Sequence, residues 1–282
     1  MSNLNNFAKR LAADIPLLTA DALAFLAAPG ARDNVNAAEH PAFSKFREQM
    51  KPKLEMRGNI AIVPVQGALA YNPDPSEMFY DGVEDSRSVL GMLKAAASDP
   101  NVEGILLRMD TPGGMLLGGP EIADAVKNAN RSKPVVAHAG GLCASLGYMI
   151  ASQAREVVAN KSAIVGSIGV IASVTDWSGY LANLGIKFEY FTNAAAKYKA
   201  AGALGTSLTD DQRANIQAGV ESAFQMFRST VLSARPQVKS EAMQGQTFRG
   251  SEAKAHGLID RVGDEDFSIS ILKSYISPKG NS

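Results

Sequence analysis

The amino-acid sequence predicts an α/β fold in which βαβ units build a mainly parallel sheet with flanking helices. Short runs rich in Val, Ile and Leu alternate with helical patterns from residue 59 onwards, and this alternation is typical of parallel sheets. The first run, residues 60–65, is apolar at every position, as expected of a strand buried on both faces. With 282 residues, 46% of them hydrophobic, the chain is long enough to bury a large core.

The elements follow one another along the chain, and residues 1–57 precede them as an N-terminal extension with a short helix predicted at 18–26. Strands are predicted at 60–65, 102–109, 134–139, 156–159, 164–171 and 188–191. Helices are predicted at 85–97, 120–130, 145–153, 210–234 and 251–256. We therefore expect one domain over residues 58–265 and a C-terminal tail over residues 266–282 that frays from residue 273.

The composition excludes several classes of function. The 28 basic and 28 acidic side chains cancel, so the chain has no excess of positive charge for binding nucleic acid or an anionic membrane. The single cysteine, Cys143, excludes a disulfide framework, and the three histidines are too far apart in sequence for a typical zinc site. We expect no metal and no cofactor.

The sequence also predicts no membrane anchor. Asp14 and Asp21 interrupt the N-terminal apolar stretch, which otherwise resembles a signal peptide. The longest charge-free run, residues 134–154, contains glycine, serine, histidine and glutamine, so a buried strand, turn and helix explain it better than a membrane span. We expect a soluble protein that acts in the cytoplasm.

A candidate nucleophile lies where a predicted strand meets a predicted helix, in the segment Gly140-Gly-Leu-Cys-Ala-Ser-Leu-Gly-Tyr148. Free N–H groups at the start of a helix favour negative charge, so Ser145 is placed to attack a carbonyl while its neighbours receive the developing oxyanion. The alternative interpretation is an ordinary serine cap with glycines for close packing.

A second glycine-rich segment, Asp110-Thr-Pro-Gly-Gly114, directly follows a predicted buried strand. Two consecutive glycines allow backbone N–H groups to face a ligand without interference from a Cβ atom. The segment is therefore a candidate oxyanion hole or a docking edge for an extended peptide. A simple tight turn is the alternative, because Pro-Gly-Gly forms one unaided.

The serine needs a base, which is most often a histidine. His138 lies on the strand before the serine, where a packing role is expected, and His256 lies at a helix end, where the helix dipole alone favours it. His40 lies in the N-terminal extension. Lys197 and Lys199 are the other candidates, in a segment rich in alanine and glycine. These residues by themselves do not decide which side chain is the base.

Taken in order, four motifs resemble the signal peptide peptidase A family of serine peptidases: Asp110-Thr-Pro-Gly-Gly, Ala144-Ser-Leu-Gly-Tyr, Gly166-Ser-Ile-Gly-Val and Lys199. This family belongs to the Clp/crotonase superfamily and includes phage head-maturation, or capsid assembly, proteases. Residues 248–260 resemble its closing helix. The resemblance covers residues 58–265 and implies a Clp/crotonase-like spiral of βαβ units.

The resemblance also implies a role for each site residue. Ser145 matches the nucleophile and Lys199 the general base of a Ser–Lys dyad. The backbone of Gly113 and Gly114 and the N–H of Leu146 match the oxyanion hole, and Ser167 matches a residue that orients the lysine. Leu146 departs from the family pattern, in which Gly or Ala is commoner at this position.

The family further implies a peptide or protein substrate and a ring-like homo-oligomer, in which the serine and the lysine of one site can come from neighbouring subunits. The extension over residues 1–57 and the lack of a predicted anchor favour the phage-type branch, acting on a capsid or scaffold or degrading peptides. Such a protein works in the cytoplasm of a bacterial or phage-infected cell, or in the phage prohead.

A lysine base must be neutral, so its pKa has to fall by about three pH units from its usual value near 10.4. The alanines around Lys199 predict burial, which has this effect because it penalises the ammonium form. Three alternatives remain. They are a Ser145–Asp176–His256 triad in α/β-hydrolase order, a crotonase-type acyl-CoA enzyme, and an inactive structural ring protein.

Overall fold

The computed structural model describes residues 53–74, 77–78 and 82–276 of the chain. Most of the predicted N-terminal extension, including the helix at 18–26, lies outside these residues, as does the end of the predicted C-terminal tail. The domain boundaries at residues 57 and 265 therefore stay predictions.

Nine strands form one sheet in the described part of the chain. They are β1 Glu55–Arg57, β2 Ile60–Ala70, β3 Val83–Asp85, β4 Gly104–Gly114, β5 Val135–Ala144, β6 Glu156–Ala159, β7 Ile164–Gly166, β8 Thr247–Arg249 and β9 Arg261–Val262. The central order is β1-β2-β4-β5-β6-β9, with β3 beside β2 and β7 between β5 and β8. Only β1 with β2 and β7 with β8 pair antiparallel, so the predicted mainly parallel α/β fold is confirmed.

Seven α-helices whose bounds lie wholly within the described residues accompany the sheet. They are α1 Ser86–Ser98, α2 Gly119–Ser132, α3 Leu146–Ala151, α4 Ser178–Asn183, α5 Asp210–Ala234, α6 Gly250–Ala255 and α7 Glu265–Tyr275. Side-chain caps fix several of their starts: Asp85 accepts a hydrogen bond from the N–H of Arg87, and Thr209 forms a capping box with Gln212. The predicted helix at 210–234 is confirmed at both ends.

The sheet separates two hydrophobic cores. Helices α1, α2 and α3 pack on one face, where Val89, Ile122 and Met149 are buried against the central strands. On the other face, Ile269 and Leu272 of α7 are buried against β2, β4, β5 and β6. Because both faces are covered, β2 is apolar from residue 60 to residue 65, as the sequence predicted, and the first halves of β4 and β5 are mostly apolar.

Helix α7 is part of this packing although it falls within the predicted tail. It is fixed to the sheet by Arg108 on β4, whose Nε donates to Oε2 of Glu265 at 2.6 Å. The helix continues to Tyr275, whose hydroxyl donates to Glu156 on β6. The prediction that the chain frays from residue 273 is therefore wrong for residues 273–275, because these contacts hold the last turn of the helix.

Both glycine-rich segments belong to strands. The segment at 110–114 was predicted as a turn, but it continues β4, and Leu69 of β2 pairs with Gly114 at its end. The segment at 140–144 likewise continues β5 and pairs with β7. Neighbouring strands supply hydrogen bonds to the extended backbone there, and this long-range pairing outweighs the local preference of glycine for turns.

Residues 171–209, which we call the arm, differ from the rest of the chain. The predicted strand at 164–171 ends at Gly166, and the predicted strand at 188–191 is absent because its backbone has no strand partner. No residue of the arm is buried. Its apolar side chains face outwards, with Ile171 94% and Phe191 93% exposed.

No helix in the described ranges combines the length and the apolar character needed to cross a bilayer.

Candidate active site

Ser145 lies at the junction between β5 and α3, at the N-cap position of the helix. Its backbone is in the left-handed region, with φ 52° and ψ −125°, which is uncommon for a residue other than glycine. Its N–H donates to the carbonyl of Gly166 at 2.8 Å. The hydroxyl makes no capping bond, so the interpretation of Ser145 as an ordinary helix cap does not hold. Such backbone strain at a half-buried serine is typical of a functional position.

Gly113 approaches this serine more closely than any other residue type could. A Cβ atom at position 113 would lie 2.7 Å from Cβ of Ser145 and 2.8 Å from the amide nitrogen of Leu146. The φ angle of Gly113 is 97°, which also favours glycine. The structure therefore brings the two predicted motifs into contact, and the end of β4 forms one wall beside the serine hydroxyl.

The N–H groups of this wall point in different directions. The Gly113 N–H donates to Oγ1 of Thr111 at 3.0 Å, and the same hydroxyl donates to the carbonyl of Gly67 at 2.5 Å. The Met115 N–H donates to Leu69 of β2 at 2.8 Å. Because successive N–H groups of a strand alternate in direction, the N–H of Gly114 points away from β2.

Leu146 and Ser167 lie in the same neighbourhood. The N–H of Leu146 is the first of helix α3, where no acceptor exists within the helix. Ser167 directly follows β7, and its φ angle of 52° is again in the left-handed region. Its N–H donates to the carbonyl of Gln246 at 2.7 Å. Two serines with unusual backbone conformations therefore lie side by side, linked through Gly166.

Ser145, Gly113, Gly114, Leu146 and Ser167 all line one cavity of about 820 Å³. Other parts of its wall are mostly apolar. They come from Leu116, Ile168, Val170, Phe224, Phe227 and Met243. The structure therefore brings together five of the six residues that the sequence predicted for the site.

Lys199, the sixth predicted residue, does not line this cavity. It lies on the arm and is exposed, so the prediction that the neighbouring alanines bury it is wrong within a single chain. Lys197 also lies on the arm, where its Nζ contacts the ring of Tyr198 and forms an ion pair with Asp211 at 2.9 Å. A hydrogen bond with Tyr198 and this ion pair raise the pKa of Lys197, which keeps it charged.

His138 and His256 make contacts away from Ser145. His138 is buried, with its Nδ1 3.0 Å from Oγ of Ser268 on α7, and burial lowers its pKa. His256 packs against the ring of Phe248, with the ring centres 4.3 Å apart. Neither histidine lines the cavity. The packing role expected for His138 is confirmed.

The alternative triad is not assembled within the chain. Asp176 lies on the arm, where its carboxylate accepts hydrogen bonds from Ser178 and Ser207. Both Asp176 and His256 lie outside the cavity that contains Ser145. The carboxylate among the lining residues is that of Glu221 on α5, which accepts a hydrogen bond from Gln217 at 3.2 Å.

Cys143 is not a competing nucleophile. It is fully buried on β5 next to Ala144, and burial raises the pKa of its thiol to about 12. A thiol in this state stays protonated and unreactive at neutral pH. Among the described residues, no group of three or more His, Cys, Asp or Glu side chains is arranged to hold a metal ion.

Sequence reasoning missed the far wall of the cavity. Phe224 and Phe227 come from helix α5, and Met243 comes from the loop before β8. The two phenylalanines are three positions apart in the predicted helix, which marks an apolar face but not the element that it covers. The cavity between Ser145 and these phenylalanines joins residues about 80 positions apart in sequence, and no local motif predicts such a contact.

Comparisons with known proteins agree with the motifs. Residues 127–275, just over half of the chain, match the model of Peptidase family S49. Capsid assembly protease C of Escherichia phage lambda is 30% identical over 230 residues, which are 80% of this chain and 51% of the phage protein. A putative signal peptide peptidase SppA of Enterococcus faecium is 28% identical, over 76% of this chain and 62% of the relative. The chain thus spans about half the length of the lambda protein.

Solved structures also match this chain. One of them is an enoyl-CoA hydratase/isomerase family member, with a TM-score of 0.43 and 17% sequence identity. The match covers 81% of this chain and 78% of that one.

Proposed function

The chain belongs to peptidase family S49, and from this premise we propose that it is a serine endopeptidase with a Ser145–Lys199 dyad. The observation that carries the proposal is the position of Ser145. Its uncapped hydroxyl lies on the wall of an apolar cavity, on a strained backbone and in contact with Gly113. A nucleophile held in this way is ready to react without reorganisation of the chain.

In the proposed reaction, neutral Lys199 takes the proton of the Ser145 hydroxyl while the serine oxygen bonds to the substrate carbonyl carbon. The tetrahedral intermediate collapses, the carbon–nitrogen bond breaks, and the lysine ammonium gives its proton to the leaving amine. A water molecule then attacks the acyl-enzyme, Lys199 takes a proton from it, and the ester bond to Ser145 breaks. The serine oxygen recovers the proton from the lysine.

For the oxyanion we propose the N–H groups of Gly114 and Leu146. Both groups belong to the predicted set. The Gly113 N–H is not chosen because it already donates to the hydroxyl of Thr111. Gly113 contributes by having no side chain, because any Cβ atom there would collide with Ser145. Ser167, beside the nucleophile, is proposed to orient the lysine.

We propose that the dyad is completed between copies of the chain in a ring-like homo-oligomer. Lys199 is exposed on an arm whose apolar side chains are not buried by any described part of the chain. A neighbouring copy that covered the arm would bury Lys199, lower its pKa and bring it to a cavity that already holds Ser145. Lys197 is the poorer base because Asp211 keeps it charged.

The proposed substrates are proteins or peptides that place an apolar side chain in the cavity. The lambda relative is named a capsid assembly protease, so we propose processing of a capsid or scaffold protein, or peptide degradation, as the role. The proposed locations are the cytoplasm of a bacterial or phage-infected cell and the prohead.

The test compares the wild type with Ser145→Ala, Lys199→Ala and Lys197→Ala on a fluorogenic peptide library. We expect the first two variants to lose activity by at least about 10³-fold, and Lys197→Ala to stay within about threefold of the wild type. Mass spectrometry after addition of a peptidyl aldehyde should show an adduct on the wild type and none on Ser145→Ala. Turnover by Lys199→Ala at the wild-type rate would rule out the dyad.

The masses of the purified wild type and Ser145→Ala also report whether the chain cleaves itself.

A further inference from the structure

The loop before β8 contributes Met243, Gln244 and Gly245 to the cavity wall. Gln246 ends this loop, and its own side chain is exposed. The amide of that side chain nevertheless makes two hydrogen bonds to the backbone of the loop. Its Oε1 accepts from the N–H of Gln244 at 2.9 Å, and its Nε2 donates to the carbonyl of Glu241 at 2.6 Å. The two bonds close the loop across residues 241–246.

This closed loop holds the segment after β7. The carbonyl of Gln246 accepts the N–H of Ser167 at 2.7 Å, and the N–H of Gly245 donates to the carbonyl of Ile168 at 3.0 Å. A Cβ atom on Gly166 would lie only 2.9 Å from the Gln246 carbonyl oxygen, so the two segments are in close contact. Ser167 has a φ angle of 52°, a conformation that persists only where its surroundings impose it.

The same segment holds the nucleophile. The carbonyl of Gly166 accepts the N–H of Ser145 at 2.8 Å, and Gly166 is bonded covalently to Ser167. A continuous path therefore runs from the side-chain amide of Gln246 through its own carbonyl, Ser167 and Gly166 to the backbone of Ser145. Every step of this path is a hydrogen bond or a covalent bond.

We propose that Gln246 is a positioning residue for the active site. Its amide fixes the 241–246 loop, the loop holds Ser167 in its unusual conformation, and Gly166 in turn fixes the rotation of the backbone at Ser145. The role needs a donor and an acceptor at the end of one side chain of this length, a requirement that glutamine meets. The inference rests on the proposed function, because Ser145 matters here as the nucleophile.

Three substitutions vary the amide in steps. Gln246→Glu keeps an acceptor for the Gln244 N–H and loses the donor to Glu241, Gln246→Met loses both, and Gln246→Asn is one methylene too short. Gln153→Met is the matched control. Gln153 also makes two amide hydrogen bonds, to Ser152 and Thr230, and does not line the cavity.

The first measurement is hydrogen exchange of the peptides that contain Ser145 and Ser167, which needs no catalytic activity. We expect faster exchange of both segments in Gln246→Met and wild-type rates in Gln153→Met. The second is steady-state kinetics well below the unfolding temperature. We expect kcat to fall about 10- to 100-fold in Gln246→Met with KM within about twofold, and a smaller loss in Gln246→Glu.

Wild-type exchange of the Ser167 segment in Gln246→Met would overturn the positioning role, whatever the activity. So would an unchanged kcat in that variant, or a loss of kcat that Gln153→Met reproduces. A wild type that cleaves no peptide would instead contradict the proposed function, and the exchange experiment would still decide whether Gln246 holds Ser167.

Discussion

The body around Ser145 and the arm that carries Lys199 are built in opposite ways. In the body, Ala144 and Leu146, which flank the nucleophile, are 5% and 2% exposed, and the strands on either side fix the backbone. In the arm no residue is buried, and Phe191 is 93% exposed. One half of the predicted dyad is therefore placed by the core of the chain, whereas the other half has no such support.

Local polar contacts and ring contacts hold the arm together. The hydroxyl of Tyr190 donates to the carbonyl of Leu204 at 2.8 Å, and the rings of Phe188 and Tyr190 stack. Each large apolar side chain left in water forgoes about 1.5–3 kcal/mol of burial free energy. Burial of the arm by a second copy would recover part of this free energy, which is the contact that the proposed site between copies requires.

The largest expected effect comes from mixing two inactive variants. Ser145→Ala keeps the lysine and Lys199→Ala keeps the serine, so hybrid rings of the two contain some complete sites if the dyad forms between copies. After unfolding and refolding of an equal mixture, we expect about a quarter of the wild-type activity, because each site draws one residue at random from each of two chains.

A mixture of Ser145→Ala with the double variant Ser145→Ala/Lys199→Ala is the control and should stay inactive. If the mixture of the two single variants also stays inactive while both form oligomers, the dyad between copies is wrong and Lys199 must reach Ser145 within one chain.

A smaller effect is expected from charge on the arm. Phe191→Asp and Leu184→Asp place a carboxylate on exposed apolar positions of the arm that do not line the cavity, where it obstructs burial by a neighbouring copy. We expect association measured by sedimentation to weaken and peptidase activity to fall by about tenfold or more, while the unfolding temperature of the body is unchanged.

Lys187→Ser, on the same arm, is the matched change of an already polar side chain and should leave association intact. Normal oligomers of Phe191→Asp and Leu184→Asp would mean that the apolar face of the arm is not an interface.

The smallest expected effect concerns pH, and it again separates body from arm. In the body, burial and the charge of Asp85 raise the pKa of Glu84 from 4.5 to about 7. Between these values the native state binds more protons than the unfolded state, so stability falls as pH rises through this window. Glu84→Gln should remove this slope and raise the free energy of unfolding at pH 8 by about 1–2 kcal/mol, measured by urea denaturation.

In the arm, hydrogen bonds from Ser178 and Ser207 lower the pKa of Asp176 from 3.8 to about 2. Its contribution is complete above pH 3.8 and is lost as pH falls towards 2, so Asp176→Asn should leave the slope between pH 4.5 and 7 unchanged. If the free energy of unfolding of Glu84→Gln still falls with pH as in the wild type, another titrating group causes the slope.

The sequence predicted most of the residues that the structure brings together around Ser145, because the signals that mark them are local. The junction of β5 and α3 at Ser145 and the glycines at 113 and 114 are recognisable from neighbouring residues alone. The turn predicted at 110–114 was wrong because β2 and β5 supply partners that local propensity does not include.

The surroundings of Lys199 show what a sequence pattern cannot predict, namely which part of which chain buries a residue. A stretch rich in small apolar residues indicates burial, but the pattern is the same whether the chain or a second copy supplies the cover. The strand predicted at 188–191 failed for a related reason, because β-prone residues form a strand only beside a partner strand. The path from Gln246 to Ser145 could not be predicted from sequence either, because it joins residues 101 positions apart through backbone groups that every residue has.

The inert state of Cys143 has a practical consequence for studying the arm. It is the only cysteine of the chain, and its buried thiol resists alkylation while the protein is folded. A cysteine introduced on the arm would therefore be the one thiol open to a fluorophore or a spin label. The proposed approach of the arm to a second copy could then be followed in real time without replacing Cys143.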